Sequence, residues 1–244
     1  MRILVTNDDG VGAEGLRRLV DALAGRHEVW AVAPDRERSG NSHGLSLGLP
    51  CVLKRVSERA FSCSGTPADC VVLAQLGAIG FRPDVVVAGI NRGPNLGTDI
   101  VYSGTCAAAR EAVISGTPGI AVSCSTWESP FLYGAAAAFV LRNIDTLLAS
   151  CPRGCFVNVN APSSDDEGLR GKLCPPCRRI YGNELKSFDA PDGSSYCFIT
   201  GGAGGVGGEV PNDSSVVAEG LVAVSYIEAY PLEAPGLTQG QEFD

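Results

Sequence analysis

Residues 1–10 restrict this chain more than any other stretch. Ile3, Leu4 and Val5 form a short aliphatic run that breaks off in Asn7, Asp8, Asp9 and Gly10. An unbroken apolar run of this length, bounded by turn residues, predicts a strand buried on both faces, as in a parallel sheet. Gly10 supplies the backbone freedom that a tight turn needs. Residues 15–24 then place Leu16, Leu19, Val20 and Leu23 at helical spacing. Strand, acidic turn and helix make the first unit of a wound α/β sheet, in which ligands bind beyond the carboxyl ends of the strands. Neighbouring side chains leave a regular strand on opposite faces. At a strand's end the turning chain lets Asp8 and Asp9 converge on one cation. The competing reading makes one of them an ordinary helix N-cap.

The same pattern continues along the chain. A second strand is expected over 28–33, followed by a polar, glycine-bearing loop, 36–44, that carries Ser39 and His43. Loops on a rigid scaffold are where function concentrates, although composition alone makes this one a solvated turn. Thr66 before Pro67 predicts an N-cap and the first helical position of a helix ending near Gly77. Val85, Val86, Val87 and Ala88 predict another buried strand, delivering a glycine-rich turn with Asn91 and Asn95. Asparagine carbonyl oxygens suit a hard cation already held by carboxylates, or simply stabilise the turn. Ser103, Gly104 and Thr105 open a helix over 106–114. Free N–H groups, hydroxyls and the positive helix end are the parts of a phosphate site, and equally of an ordinary cap. Strands near 119–123 and 156–160 and a helix near 132–149 complete a Rossmann-like, mostly parallel sheet flanked by helices. Beyond Pro162 the composition shifts. Residues 1–162 are thus expected to form the catalytic core, and 163–244 a C-terminal extension of β-hairpins that serves as an oligomerisation arm. Residues 201–208, nearly all glycine, are expected to be a flexible loop.

Composition narrows the partners. A net charge of −8 provides no basic footprint for a nucleic-acid duplex. An acidic protein that takes a phosphate ester must neutralise it locally. No apolar run approaches the roughly 18 residues of a membrane helix, and no separate signal sequence is visible, so a cytoplasmic protein without membrane attachment is expected. Ten cysteines are scattered, several in apolar surroundings typical of reduced core thiols. Cys151, Cys155, Cys174 and Cys177 have zinc-ribbon spacing, but Cys155 leads into an apparent strand and Pro175 and Pro176 fill the second loop, which weakens a zinc site.

Five blocks carry a resemblance: LVTNDDG (4–10), VAPDRERSG (32–40), GTPADC (65–70), GINRGPNLG (89–97) and YSGT (102–105). In this order they resemble the SurE-like nucleotidases, the stationary-phase survival proteins, with a weaker match through 158–162. The resemblance implies metal-dependent hydrolysis of nucleoside 5′- and 3′-monophosphates. Carried over, the metal ligands are Asp8, Asp9, Ser39 and Asn91, an all-oxygen set suited to one Mg²⁺ or Mn²⁺ per subunit. Asn91, Asn95, Ser103, Gly104 and Thr105 would bind phosphate. Asp8, Asp9, Ser103 and His43 would be catalytic, His43 as donor to the leaving alkoxide. Whether Asp8 attacks or activates water stays open, water at the cation being preferred. The resemblance fades late in the chain, at 189–193 and 224–231, which leaves a homodimer and a homotetramer both open. A haloacid-dehalogenase-like phosphatase would need its aspartates separated by one residue, and here they are adjacent. A non-catalytic nucleotide-binding regulator on the same fold is the alternative, and a zinc-stabilised interaction module the third reading.

Overall fold

The aliphatic runs become the middle of a nine-stranded sheet. The computed structural model describes residues 1–231, so residues 232–244 of the expected extension lie outside the described residues. In chain order the first half contains β1 (Arg2–Thr6), α1 (Glu14–Ala24), β2 (Glu28–Pro34), β3 (Leu53–Ser57), β4 (Ala60–Cys63), α2 (Pro67–Gln75) and β5 (Val85–Arg92). A 3₁₀ turn (Gly97–Val101), α3 (Gly104–Ile114), β6 (Gly119–Cys124), α4 (Gly134–Ser150) and β7 (Cys155–Ala161) follow. The remainder is β8 (Gly171–Leu173), β9 (Arg178–Tyr181), β10 (Glu184–Asp189), β11 (Ser195–Thr200), β12 (Ala203–Gly207), α5 (Asp213–Ala218) and β13 (Val222–Glu228).

The main sheet runs β3-β4-β2-β1-β5-β6-β7-β13-β8. From β4 to β7 every pairing is parallel. β1 pairs β2 on one side and β5 on the other, so the winding reverses there. The alternation of the strands divides the core into two layers. Ile3, Val5, Val85, Val87, Val157 and Val159 pack with Leu16, Leu19 and Leu23 of α1 and Val140 and Ile144 of α4. Leu4, Val32, Val86 and Ala88 pack with Cys70, Val71 and Ala74 of α2 and Ala108 and Ala112 of α3. Fully burying each of the larger side chains contributes about 1.5–3 kcal/mol. A one-residue slip of β1 would send Arg2 and Thr6 into the first layer, which fixes its register.

Local signals hold where they were strong. Thr66 caps α2 in a reciprocal capping box with Asp69, and Pro67 opens the helix. Three features differ from expectation. β5 continues through Arg92, with a register irregularity against β6 between Ala88 and Asn91; such a bulge bends a strand end and re-aims its side chains. The glycine-rich stretch contains β12, paired antiparallel with β9, because backbone pairing needs no side chain. Most tellingly, the segment beyond residue 162 divides. β13 joins the main sheet between β7 and β8, while β10–β11 and β9–β12 form two-stranded ribbons. Among the described residues no three or more His, Cys, Asp or Glu side chains gather around a point that could hold a metal. The four candidate zinc cysteines therefore do not assemble.

Candidate functional site

The winding reverses between β1 and β5, and the segments leaving these strands carry the acidic pair and Asn91. Beyond β1, Asn7 closes the turn on itself: its Nδ2 donates to Gly10 O at 3.0 Å and its Oδ1 accepts the Gly10 N–H at 3.1 Å. α1 starts at Glu14 behind Ala13, with no side-chain cap. Neither Asp8 nor Asp9 therefore serves as the helix cap.

Asp8 is 3% exposed and docks on the start of α3. Thr105 Oγ1 donates to Asp8 Oδ1 at 2.6 Å, and the backbone N–H groups of Gly104 and Thr105 also hold the carboxylate. Ser103 is the N-cap, its Oγ accepting the Cys106 N–H at 3.0 Å. This close approach requires a glycine. A Cβ on Gly104 would stand 2.9 Å from Asp8 Cβ and 3.0 Å from its Oδ2. Burial raises the Asp8 carboxyl above its ordinary range, and the Thr105 hydroxyl and α3 amides oppose that rise. Asp9 accepts the Arg92 N–H at 3.1 Å. Burial first, and then the charge of Asp8, push it up to about 6.

The loop after β2 is fastened at both ends of this site. Arg38 N–H donates to Asp8 O at 2.7 Å, and Ser42 N–H to Tyr102 O at 3.1 Å. Ser39 lies between, its hydroxyl on Glu37 Oε1 at 3.1 Å. Asn91 donates Nδ2 to Gly93 O at 2.9 Å, leaving its carbonyl oxygen for a ligand.

A cleft of about 640 Å³ collects Asp8, Ser39, Asn91, Asn95 and Ser103, together with Arg92 and several aromatic side chains. Asp9 lines an adjoining cleft that shares Glu37, Arg92 and Phe131 with the first. Gly104 and Thr105 lie behind Asp8, where they position its carboxylate. His43 is directed elsewhere, with Nε2 2.9 Å from Glu111 Oε2 on α3. Replacing His43 with alanine takes from the buried Glu111 carboxylate one of its two side-chain partners, leaving the Ser115 hydroxyl on Oε1 at 2.9 Å. We expect a stability loss of about 1–3 kcal/mol, read as a lower denaturation midpoint.

Sequence reasoning missed the groups that fix Asn95. Its N–H donates to Asn160 Oδ1 at 2.8 Å and its Nδ2 to Ser123 Oγ at 2.8 Å. Its carbonyl accepts the Asn158 and Asn160 amides at 2.9 and 3.1 Å. Two asparagines alternating with valine in β7 were the available signal, since a buried polar residue in a strand needs a partner. Also missed was Asp213 of α5, fully buried, which accepts the Gly97 and Cys177 N–H groups at 2.7 and 2.8 Å. Through it the C-terminal segment braces the turn ahead of Ser103.

The donor set fits a hard divalent cation. Of two neighbouring carboxylates, Asp8 is buried and Asp9 half-buried, and neither has an ion-pair partner among the described residues. The oxygens of Ser39 and Asn91 complete an all-oxygen set.

The chain's relatives identify its family. The family described as Survival protein SurE matches residues 3–183. A protein named 5′-nucleotidase SurE from Anaeromyxobacter sp. (strain Fw109-5) is 42% identical over 92% of this chain and 89% of its own. Another of that name, from Thermosipho africanus, is 38% identical over 94% and 92%. The crystal structure of the SurE protein from Aquifex aeolicus superposes with a TM-score of 0.80 at 32% identity, covering 94% of each chain. With its reversal at β1, its acidic turn and three-quarters of its length matched, the chain belongs to the SurE family.

Proposed function

We propose that this protein is a metal-dependent nucleotidase that hydrolyses nucleoside 5′- and 3′-monophosphates. The observation that carries the reading is the convergence of Asp8, Ser39, Asn91, Asn95 and Ser103 on one cleft in a protein of net charge −8. The relatives' names support a nucleotide phosphomonoesterase. A Mg²⁺ or Mn²⁺ ion held by Asp8, Asp9, Ser39 and Asn91 would neutralise phosphate charge and polarise the ester.

The chain's own groups supply the rest. Ser103 lines the cleft, and its capping bond uses the hydroxyl oxygen as acceptor. Asn95 is held rigidly by β6 and β7, so it presents a fixed dipole to the phosphate oxygens without reorganising during reaction. Thr105 and the α3 amides hold Asp8 in one orientation. Gly104 lets that orientation exist.

The assay is phosphate release from paired 5′- and 3′-mononucleotides with Mg²⁺ or Mn²⁺. Release from both is expected. Release from the 5′ series alone removes the 3′ activity, and none from either in folded protein removes the enzyme reading.

Cation binding should be proton-linked. The raised Asp9 carboxyl binds its proton more tightly folded than unfolded, so its contribution to stability is complete below about pH 4 and is lost as pH rises through about 6. A cation requires the ionised form and relieves that loss. The rise in melting temperature with Mn²⁺ is therefore expected to be larger at about pH 7.5 than at about pH 5. Equal shifts would contradict it.

We further infer a homodimer or homotetramer and a cytoplasmic setting. The β10–β11 ribbon exposes Leu185, Phe188, Tyr196, Phe198 and Ile199, a surface of the sort that subunits cover. All ten cysteines are free, which accords with a reducing compartment.

A further inference from the structure

We propose that Trp127 is the platform on which the nucleobase stacks, and that it gives the enzyme a preference for purine over pyrimidine monophosphates. This rests on the nucleotidase reading and assigns the part of the substrate that the phosphate site does not hold.

Four aromatic side chains line the cleft: Tyr102, Trp127, Phe131 and Tyr181. Three are already engaged. Tyr102 and Tyr181 meet edge to face, with centroids 6.0 Å apart, and the Tyr181 hydroxyl is bonded to Asp99. The Arg92 guanidinium lies 5.9 Å from the Phe131 ring centroid. Trp127 has no aromatic or cationic partner among the described residues and remains 67% exposed.

Its ring is nevertheless placed. A Cβ on Gly93 would stand 3.1 Å from Trp127 Cζ3, so the indole rests on bare backbone beside Asn91. The turn that carries it is pinned. Thr126 Oγ1 accepts the Glu128 N–H at 3.2 Å and donates to Glu128 O at 3.0 Å, while Ser125 N–H donates to Ala161 O at 2.7 Å. A large apolar ring held in place with an open face, in the same cleft as the phosphate groups, matches a nucleobase in size and chemistry. A bicyclic purine overlaps an indole more fully than a pyrimidine does, and this sets the direction of preference.

The test uses adenosine 5′-monophosphate and ribose 5-phosphate, which carry the same phosphate with and without a base. In Trp127→Ala the ratio of their KM values is expected to move by about tenfold against the adenine nucleotide. Trp127→Phe, which keeps an aromatic face, should restore most of that ratio. An unaltered ratio in Trp127→Ala overturns the proposal, because an indole serving only the loop affects both substrates alike.

A second readout needs no turnover. The chain has two tryptophans, and Trp30 stacks on Phe61 and Phe81 away from the cleft. Trp30→Phe therefore leaves Trp127 as the reporter. Its emission should be quenched by adenosine 5′-monophosphate and not by ribose 5-phosphate. No quenching at nucleotide concentrations that raise the melting temperature overturns the assignment. If wild-type protein hydrolyses neither ester, the nucleotidase reading fails, while the quenching still decides where a base stacks.

Discussion

Asp8→Asn is expected to raise the melting temperature of the metal-free protein while lowering phosphate release by about a hundred- to a thousandfold. Both effects come from one carboxylate. Asp8 is buried, and loss of solvation is the largest influence on it, outweighing the Thr105 hydroxyl and the α3 amides. A charge at that position is costly for the fold near neutral pH. Asparagine is nearly isosteric and its Oδ1 still accepts from Thr105, so the replacement removes the cost and keeps that bond, while its Nδ2 gives up acceptance from the α3 amides. It also removes a charged cation ligand at the centre of the cleft. Stability gained where activity is lost marks a group retained for chemistry. Thermal melts and phosphate-release rates on the same preparations check it. A variant that melts lower than wild type would show that the α3 amides outweigh burial.

Gly104→Ala is expected to cost about a hundredfold in kcat/KM through geometry alone. The added methyl would meet Asp8 Cβ at 2.9 Å and Pro67 Cγ at 3.2 Å. Neither contact can relax cheaply, because Pro67 opens α2 and Asp8 is anchored to Thr105. Either the start of α3 withdraws or the carboxylate turns away, and displacements near 1 Å at a reacting centre carry losses of this size. Overpacking should also lower stability by about 1–3 kcal/mol. The pattern differs from that of Asp8→Asn, since here activity and stability fall together. Activity within about threefold of wild type would mean that Asp8 need not sit against α3.

The parts of the fold legible in the sequence were those set by local chemistry. Ile3–Val5 and Val85–Ala88 have no polar alternation, so burial on both faces was the only comfortable state. Thr66-Pro67 and Ser103 announce helix starts through bonds made within three residues. Far-reaching pairings were not legible. Residues 221–225 have the same aliphatic character as the core strands, yet nothing in them states that β13 runs antiparallel beside β7; that depends on a neighbour more than sixty residues away. β12 escaped because glycines give no alternation to read. At the site, the strand-end residues were visible as types and order. The direction of His43 toward Glu111, and the division between Ser103 facing the cleft and Thr105 facing Asp8, depend on how α3 lies over β1. The network behind Asn95 joins residues from β6 and β7, which spacing cannot connect.

The most direct test is to strip the protein with EDTA, remove the chelator, and follow phosphate release from a 5′-mononucleotide as Mn²⁺ is titrated back, measuring bound metal in parallel. The account predicts negligible release from stripped protein and recovery in step with a single ion bound per chain. Full release from the stripped, metal-free protein would contradict the account, because the buried Asp8 and its neighbour Asp9 would then serve some purpose other than holding a cation.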